Sequence, residues 1–360
     1  MSSSTVSQPR GDQRLAFGLS DEERHWVQQC ASRWAEHDVI PEEVYRWLVR
    51  RRYFKLFVPA AFGGIEVSLG EAVQLYEELA EVDGSLAWLV QIGAGGGFFV
   101  PSFAPEVAEQ LFSPEHAVIA GSGALGGWAR RVAGGYRVTG RWRYASGAQY
   151  ATLFTANAVV EGTGEVRAFA FFPEQVQCER DWRALGMRAT SSWSFAVDDV
   201  FVPEELSFVV GQRRWEPGLA VYRLPFGLFA TASIGAVALG LARAYFREMG
   251  RYDRPEAVRR ELACRRSLLE YAAGLFRAGV GQAESAASGG RIEEQHIRRL
   301  EWLMRAALQM VRHLFLEVLP AAGMAAVVEG ELLGRIVRDC LTIFQHRALW
   351  TPQWGDQWDA

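Results

Sequence analysis

The sequence predicts a mainly helical α+β fold, with an N-terminal helical domain, a central small β-barrel domain and a C-terminal four-helix bundle. Three observations predict it. Apolar residues recur at three- and four-residue spacing through roughly the first hundred positions. From Ala117 to about Val210 the pattern changes to short apolar or alternating runs separated by glycine-rich turns. Long helical patterns then return, joined by short loops at Pro255, Ser288-Gly289-Gly290 and Pro320, as an antiparallel bundle requires. The expected boundaries are a disordered tail at 1–15, the helical domain at 16–116, the β domain at 117–212, and the bundle with a Trp-rich tail at 213–360.

Taken in order, Ser20 starts a first amphipathic helix through about Glu36, with Trp26, Val27, Cys30 and Trp34 on one face. Pro41 starts a second helix, carrying Val44, Trp47 and Leu48. Ser68 and Glu71 form a capping-box signature for a third, striped by Leu69, Val73, Tyr76 and Leu79. Asp83 caps a fourth, which contains Trp88 and runs into Gly93-Ala94-Gly95-Gly96-Gly97. Glycine in a helix costs about 1 kcal/mol relative to alanine, so this run calls for compensation. A cavity wall thinned for a ligand and close helix packing are both open. The bundle helices are expected at about Leu219–Gly250, Glu256–Ala287, Ile292–Leu319 and Glu331–Arg347.

Composition narrows the function. The net charge of −4 is nearly balanced and no basic stripe interleaves with aromatics, which argues against nucleic acid as a partner. Cys30, Cys178, Cys264 and Cys340 lie far apart without metal spacing, pointing to a reducing cytoplasm and to no metal site. The polar N-terminus lacks an apolar signal region. Leu224–Ala242 holds 19 residues without a charge, long enough to cross a bilayer. Its Gly, Ala, Ser and Thr content and its flanking Arg223 and Arg243 favour a central helix packed by protein, so no membrane partner is expected. No GxGxxG, Walker, HExxH or GxSxG element occurs.

The stretch Gly134–Asn157 stands out within the β region. Tyr136–Val138 and Trp142–Tyr144 alternate around Thr139-Gly140, which reads as strand, turn, strand. Ala145-Ser146-Gly147-Ala148 follows, four small residues against whose backbone a flat ligand could lie. Ser146 as a turn residue and Trp142 and Tyr144 as ordinary strand aromatics remain the plain alternative.

The domain order, with GGYRVTGRWRYASGA, LGMRATSSWSFAVDDVFVPEE and GRIVRDCLTIFQH, resembles the acyl-CoA dehydrogenase superfamily over about residues 15–350. Within it the chain is more similar to the branch of two-component flavin-dependent monooxygenases. The resemblance implies a flavin, FMN or FAD, lying between the β domain and the bundle. Tyr144-Ala145-Ser146 matches the family's strand whose backbone and hydroxyl meet the flavin edge, and Ser146 is implied to bond near N5. Ser122 matches the hydroxyl of the preceding flavin-binding strand, although GSGALGG departs from the dehydrogenase pattern. Thr190 and Ser191 fall in the loop that the branch writes Gly-Thr-Gly-Ser, here Ala-Thr-Ser-Ser; a simple turn is the plain alternative.

Reaction type is read from what is missing. Acyl-CoA dehydrogenases need a carboxylate base facing the flavin. Here Gln345-His346 stands where a Tyr-Glu pair is expected, and Tyr222–Gly235 has no acid. His346 fits the monooxygenase branch, as a hydrogen-bond donor or proton acceptor, or else simply suits a helix C-terminus. Trp88, Gln91 and Gly95 leave an apolar, roomy substrate pocket. The expected function is oxygenation of a small hydrophobic or aromatic molecule with reduced flavin and O2, the flavin coming from a separate reductase. Dehydrogenation of a CH–CH bond and a catalytically silent binding or assembly module are the alternatives. The resemblance also implies a homodimer or homotetramer through the bundle.

Overall fold

The computed structural model describes residues 18–290 and 293–350. The expected tails at 1–15 and beyond Trp350 lie outside the described residues. Among the described residues, five α-helices form the N-terminal part: α1 (Asp21–His37), α2 (Glu42–Arg50), α3 (Leu69–Ala80), α4 (Gly84–Gly95) and α5 (Pro105–Phe112). Their starts follow from local chemistry. The Ser20 and Ser68 hydroxyls each accept from the amide of the third helical residue, Glu23 and Glu71, whose carboxylates accept from the cap amides, so both capping boxes close. The Asp83 carboxylate accepts from Leu86 N at 3.0 Å and starts α4.

The central part is one mixed seven-stranded sheet of β1 (Ile119–Val132), β2 (Gly135–Ala145), β3 (Leu153–Val160), β4 (Val166–Phe171), β5 (Gln177–Glu179), β6 (Trp193–Pro203) and β7 (Ser207–Phe208). The order is β5-β6-β2-β1-β3-β4-β7, with β1 parallel to β3, and no pairing joins β5 to β7 among the described residues.

The expected turn at Thr139-Gly140 is not there. β2 runs straight through it, and Gly140 sits opposite both Gly127 on β1 and Val197 on β6. The hairpin turns instead at Gly134, whose φ of +79° supplies the left-handed backbone that a tight reversal needs. Gly140 is glycine for another reason. A Cβ there would come within 2.5 Å of the Trp142 ring, which lies across it. Similarly, the short apolar stretches Phe195–Val197 and Val200–Val202 belong to one strand, β6, bent at Asp199 with φ of +47°.

The bundle comprises α6 (Phe226–Met249), α7 (Glu256–Ser288), α8 (Glu294–Val318) and α9 (Leu332–Ile343). α6 is the one described helix long and apolar enough to cross a membrane, and it is largely buried inside the protein. Its small residues explain the apolar run. A Cβ at Gly240 would meet Glu77 O of α3 at 2.4 Å, and one at Gly235 would meet Phe276 and Leu308 at 2.7 Å. The run is therefore a stripe of close helix contacts.

The glycines at the end of α4 favour close packing of the two readings left open by the sequence. Added Cβ atoms at Gly93 and Gly96 would each fall 2.5 Å from a core side chain, Phe54 and Ile119. Close packing accounts for them. At Gly95 the nearest atoms to such a Cβ, Gln91 Nε2 and Phe229 Cε1, are both 3.9 Å away, so a methyl group would fit there in ordinary contact.

Candidate functional site

The site forms where α4, the end of β2, the loop 186–192 and the segment after α9 meet. Tyr144 takes a left-handed φ of +66°, which shifts the β2–β6 register between Trp142 and Ala145 and ends the strand. Ala145 is buried opposite Trp193, and Ser146 turns inward with only 4% of its surface exposed. The Tyr144 ring points the other way: it is 57% exposed, with Trp182 edge-on at 5.8 Å and the Arg143 guanidinium 4.9 Å from its centre. Of the expected flavin strand, Ser146 joins the polar row described next, while the Tyr144 side chain does not.

That row runs through five groups. Trp88 Nε1 donates to Ser146 Oγ at 2.8 Å, Ser146 Oγ lies 2.7 Å from Ser192 Oγ, and Ser192 Oγ lies 2.6 Å from Thr190 Oγ1. Thr190 Oγ1 donates to Met187 O at 2.8 Å. Ser191 sits beside the row with a left-handed φ of +47°, and its buried hydroxyl has no hydrogen-bond partner. One turn beyond Trp88 on α4, buried Gln91 leaves Oε1 without a partner. Ser122, in the bulged part of β1, is half-buried; Ala124 N approaches its hydroxyl at 3.5 Å, and no hydrogen bond joins it to the row.

His346 closes the other side. Its ring stands edge-on to Trp88, centroids 5.4 Å apart at 61°. Nδ1 accepts from Ala348 N at 3.2 Å and caps the turn Arg347–Leu349, so in the neutral ring the proton is on Nε2. The surrounding protein strips water from the imidazole, and the Arg347 charge adds to that effect. Its pKa is pushed down to about 4.

The loop 186–192 is fixed from behind by α9. A Cβ on Gly186 would sit 2.2 Å from Arg338 O, so only glycine lets this backbone lie on the helix. Gly186 N donates to Thr342 Oγ1 at 2.9 Å, and Met187 N donates to Asp339 Oδ1 at 2.6 Å. Arg188 pairs with Asp38 at 2.6 Å, tying the loop to the first helical domain. Buried Asp339 shares a small cavity of about 40 Å³ with Asp83, Trp34, Ser85, Arg335 and Arg338. Desolvation, reinforced by the charge of Asp83, raises the Asp339 pKa to about 7.

Trp88, Ser146, Thr190, Ser191 and His346 are thus gathered in one region, with Gln91 and Gly95 further along α4. Sequence reasoning overlooked Ser192 and Asp339. Both were within quoted motifs, Ala-Thr-Ser-Ser and Arg338-Asp339, but a spacing pattern gives no direction to a hydroxyl and no depth to a carboxyl. The arrangement suits a planar heteroaromatic with a polar edge. Buried polar atoms are nearly always paired, so the unpartnered Ser191 Oγ and Gln91 Oε1 are where a ligand's donors would complete the set.

Residues 22–113 match the acyl-CoA dehydrogenase N-terminal domain. Indole-3-acetate monooxygenase of Pseudomonas putida is 25% identical over 353 residues, covering 92% of this chain and 86% of that protein. The oxygenase subunit HsaA, a flavin-dependent monooxygenase of Rhodococcus jostii, is 28% identical over 214 residues, covering 56% of each chain. Among solved structures, XiaF from Streptomyces in complex with FADH2 superposes with a TM-score of 0.80 at 22% identity, covering 91% of this chain and 92% of that one. The fold is acyl-CoA dehydrogenase-like, and its N-terminal part, residues 22–113, matches the N-terminal domain of that family. Its relatives include a monooxygenase and the oxygenase subunit of a flavin-dependent monooxygenase.

Proposed function

We propose that the chain is the oxygenase component of a two-component flavin-dependent monooxygenase, acting with reduced flavin and O2 on a small hydrophobic or aromatic molecule. A separate reductase supplies the reduced flavin. One observation carries the reading: the groups gathered at the site are hydroxyls, an indole, an amide and a neutral imidazole, with no carboxylate among them. The carboxylate nearest along the bonded network, Asp339, is held behind the loop by the Met187 amide. Removal of a proton α to a thioester, which needs a carboxylate base, has none here.

Bound reduced flavin would supply the activation of O2 and the oxygen atom transferred to the substrate. The chain's own residues do the rest. Ser146 and Ser191 would hold the polar edge of the ring, Thr190 stands behind them in the bonded row, and the Trp88 indole fixes Ser146. Apolar Phe229, beside Gly95, would limit water at the substrate side. His346 Nε2–H is a hydrogen-bond donor at neutral pH; this ring gives a proton only as a hydrogen bond, because it stays uncharged. A cytoplasmic homodimer or homotetramer belongs to the same reading, and sedimentation would measure its size.

The test supplies the purified chain with reduced FMN or FAD, then O2, and follows aromatic candidates for oxygen incorporation from labelled O2. Oxygenated product is expected. Substrate-driven bleaching of bound FAD under anaerobic conditions would replace the reading with a dehydrogenase. Protein that takes up neither flavin would point to a binding or assembly module.

A further inference from the structure

The row from Trp88 to Met187 has a direction. Four contacts join its five groups, and four hydrogens are available: the indole N–H and one on each of Ser146, Ser192 and Thr190. An indole nitrogen can only donate and a carbonyl oxygen can only accept. A single assignment fills all four contacts. Trp88 donates to Ser146, Ser146 to Ser192, Ser192 to Thr190, and Thr190 to Met187 O. Reversing any hydroxyl would set two lone pairs against each other in a place where Ser146, Ser192 and Thr190 are each at most 4% exposed.

The consequence falls on Ser146. Its hydrogen is committed to Ser192 and one lone pair to Trp88, which leaves one lone pair to meet a ligand. Toward that ligand Ser146 can only accept. An oxidised flavin presents a bare acceptor at N5; a reduced flavin presents an N–H. We propose that Ser192 and Thr190 are positioning residues that fix the Ser146 hydroxyl as an acceptor and so make the site select reduced over oxidised flavin. The inference rests on the flavin reading above and adds to it the residues that read the redox state. Neither Ser192 nor Thr190 needs to touch the ring's reacting edge for this to operate.

The anchor of the row is itself well held. Met187 O also accepts from Trp182 Nε1 at 2.9 Å, and the Met187 amide is bound by Asp339. Thr190 therefore has a fixed acceptor, and the direction propagates through two hydroxyls to Ser146.

The experiment measures dissociation constants of the full-length chain for oxidised flavin, by fluorescence, and for reduced flavin, by anaerobic titration. In Ser192→Ala the Ser146 hydrogen is released and can donate to oxidised N5. The preference for reduced flavin is expected to narrow by about tenfold, read equally as a drop of about 30 mV in the potential of the bound two-electron couple. Thr190→Val should move the ratio the same way, because Ser192 is then free to turn and donate to Ser146. Thr190→Ser, which restores the hydroxyl, should return the wild-type ratio. Bound flavin with an unchanged ratio in both Ser192→Ala and Thr190→Val would overturn the assignment alone, as would equal weakening of both redox forms. Wild-type protein that binds neither form would overturn the flavin reading together with it.

Discussion

His346 shows how much a single residue's environment decides. An imidazole with its ordinary pKa would be partly charged near pH 6.5; here desolvation keeps it neutral down to about pH 4. Because the folded value lies below the unfolded one, the unfolded chain binds the extra proton between those values, and stability is lost as pH falls through that window. Thermal melts of wild type and His346→Asn should show wild type gaining relative to the variant as pH rises from about 4.5 to 6.5. The same shift predicts that turnover shows no His346 titration between about pH 6 and 8. Trp88 makes a second residue-scale case. Trp88→Phe keeps a ring against His346 but removes the donor to Ser146, a bond worth about 0.5–1.5 kcal/mol. Unfolding free energy should fall by about that amount, measured by denaturant unfolding, and flavin affinity should weaken as Ser146 loses the partner that holds it, measured by titration.

At the scale of elements, the loop 186–192 matters more than any helix. It carries two left-handed residues, Met187 and Ser191, and is held in that shape by α9 behind it and the strand ends beside it. Gly186→Ala would push a methyl group into Arg338 O, and the loop or the helix must shift. A loss of about 1–3 kcal/mol in denaturant unfolding is expected, with weaker flavin uptake than at any exposed glycine, such as Gly274, changed to alanine. The β elements teach a caution about reading turns. Thr139-Gly140 looked like a reversal because glycine after a polar residue usually is one, but a glycine overlaid by an indole meets the same requirement from within a strand. The capping box at Ser68 was legible because both partners lie within one turn of sequence, and at Ser20 the helix start was.

Across the whole molecule, Asp83 and Asp339 tie the parts together. Asp83 starts α4, Asp339 belongs to α9, and Asp339 also holds the loop that follows β5. Arg335 approaches Asp83 at 3.9 Å and bonds Ala31 O of α1 at 2.7 Å, adding a further element. Burial raises both carboxyl pKa values, that of Asp339 to about 7. The folded state then retains a proton that the unfolded chain has released, so this pair's contribution to stability falls as pH rises from about 4 to 7. Asp339→Asn keeps an acceptor for Met187 N and removes the ionisation. Its melting temperature should improve relative to wild type between about pH 5 and 8; a pH-independent gap would remove Asp339 from the pair.

The sequence by itself determined the order of helices, sheet and bundle, the caps that start α1, α3 and α4, and the missing base in favour of His346, since each depends on neighbours along the chain or on a residue's identity. Ser146 and Thr190 were also visible as motif positions. Only the tertiary structure decided that Tyr144 faces outward, that Gly93 and Gly96 are packed against core side chains while Gly95 is not, and that Ser192 lies between Ser146 and Thr190. The physical reason is distance in sequence. The Ser146 hydroxyl takes its direction from Trp88, 58 residues earlier, and Ser192, 46 residues later. A hydrogen bond's direction belongs to the set of groups that meet in space.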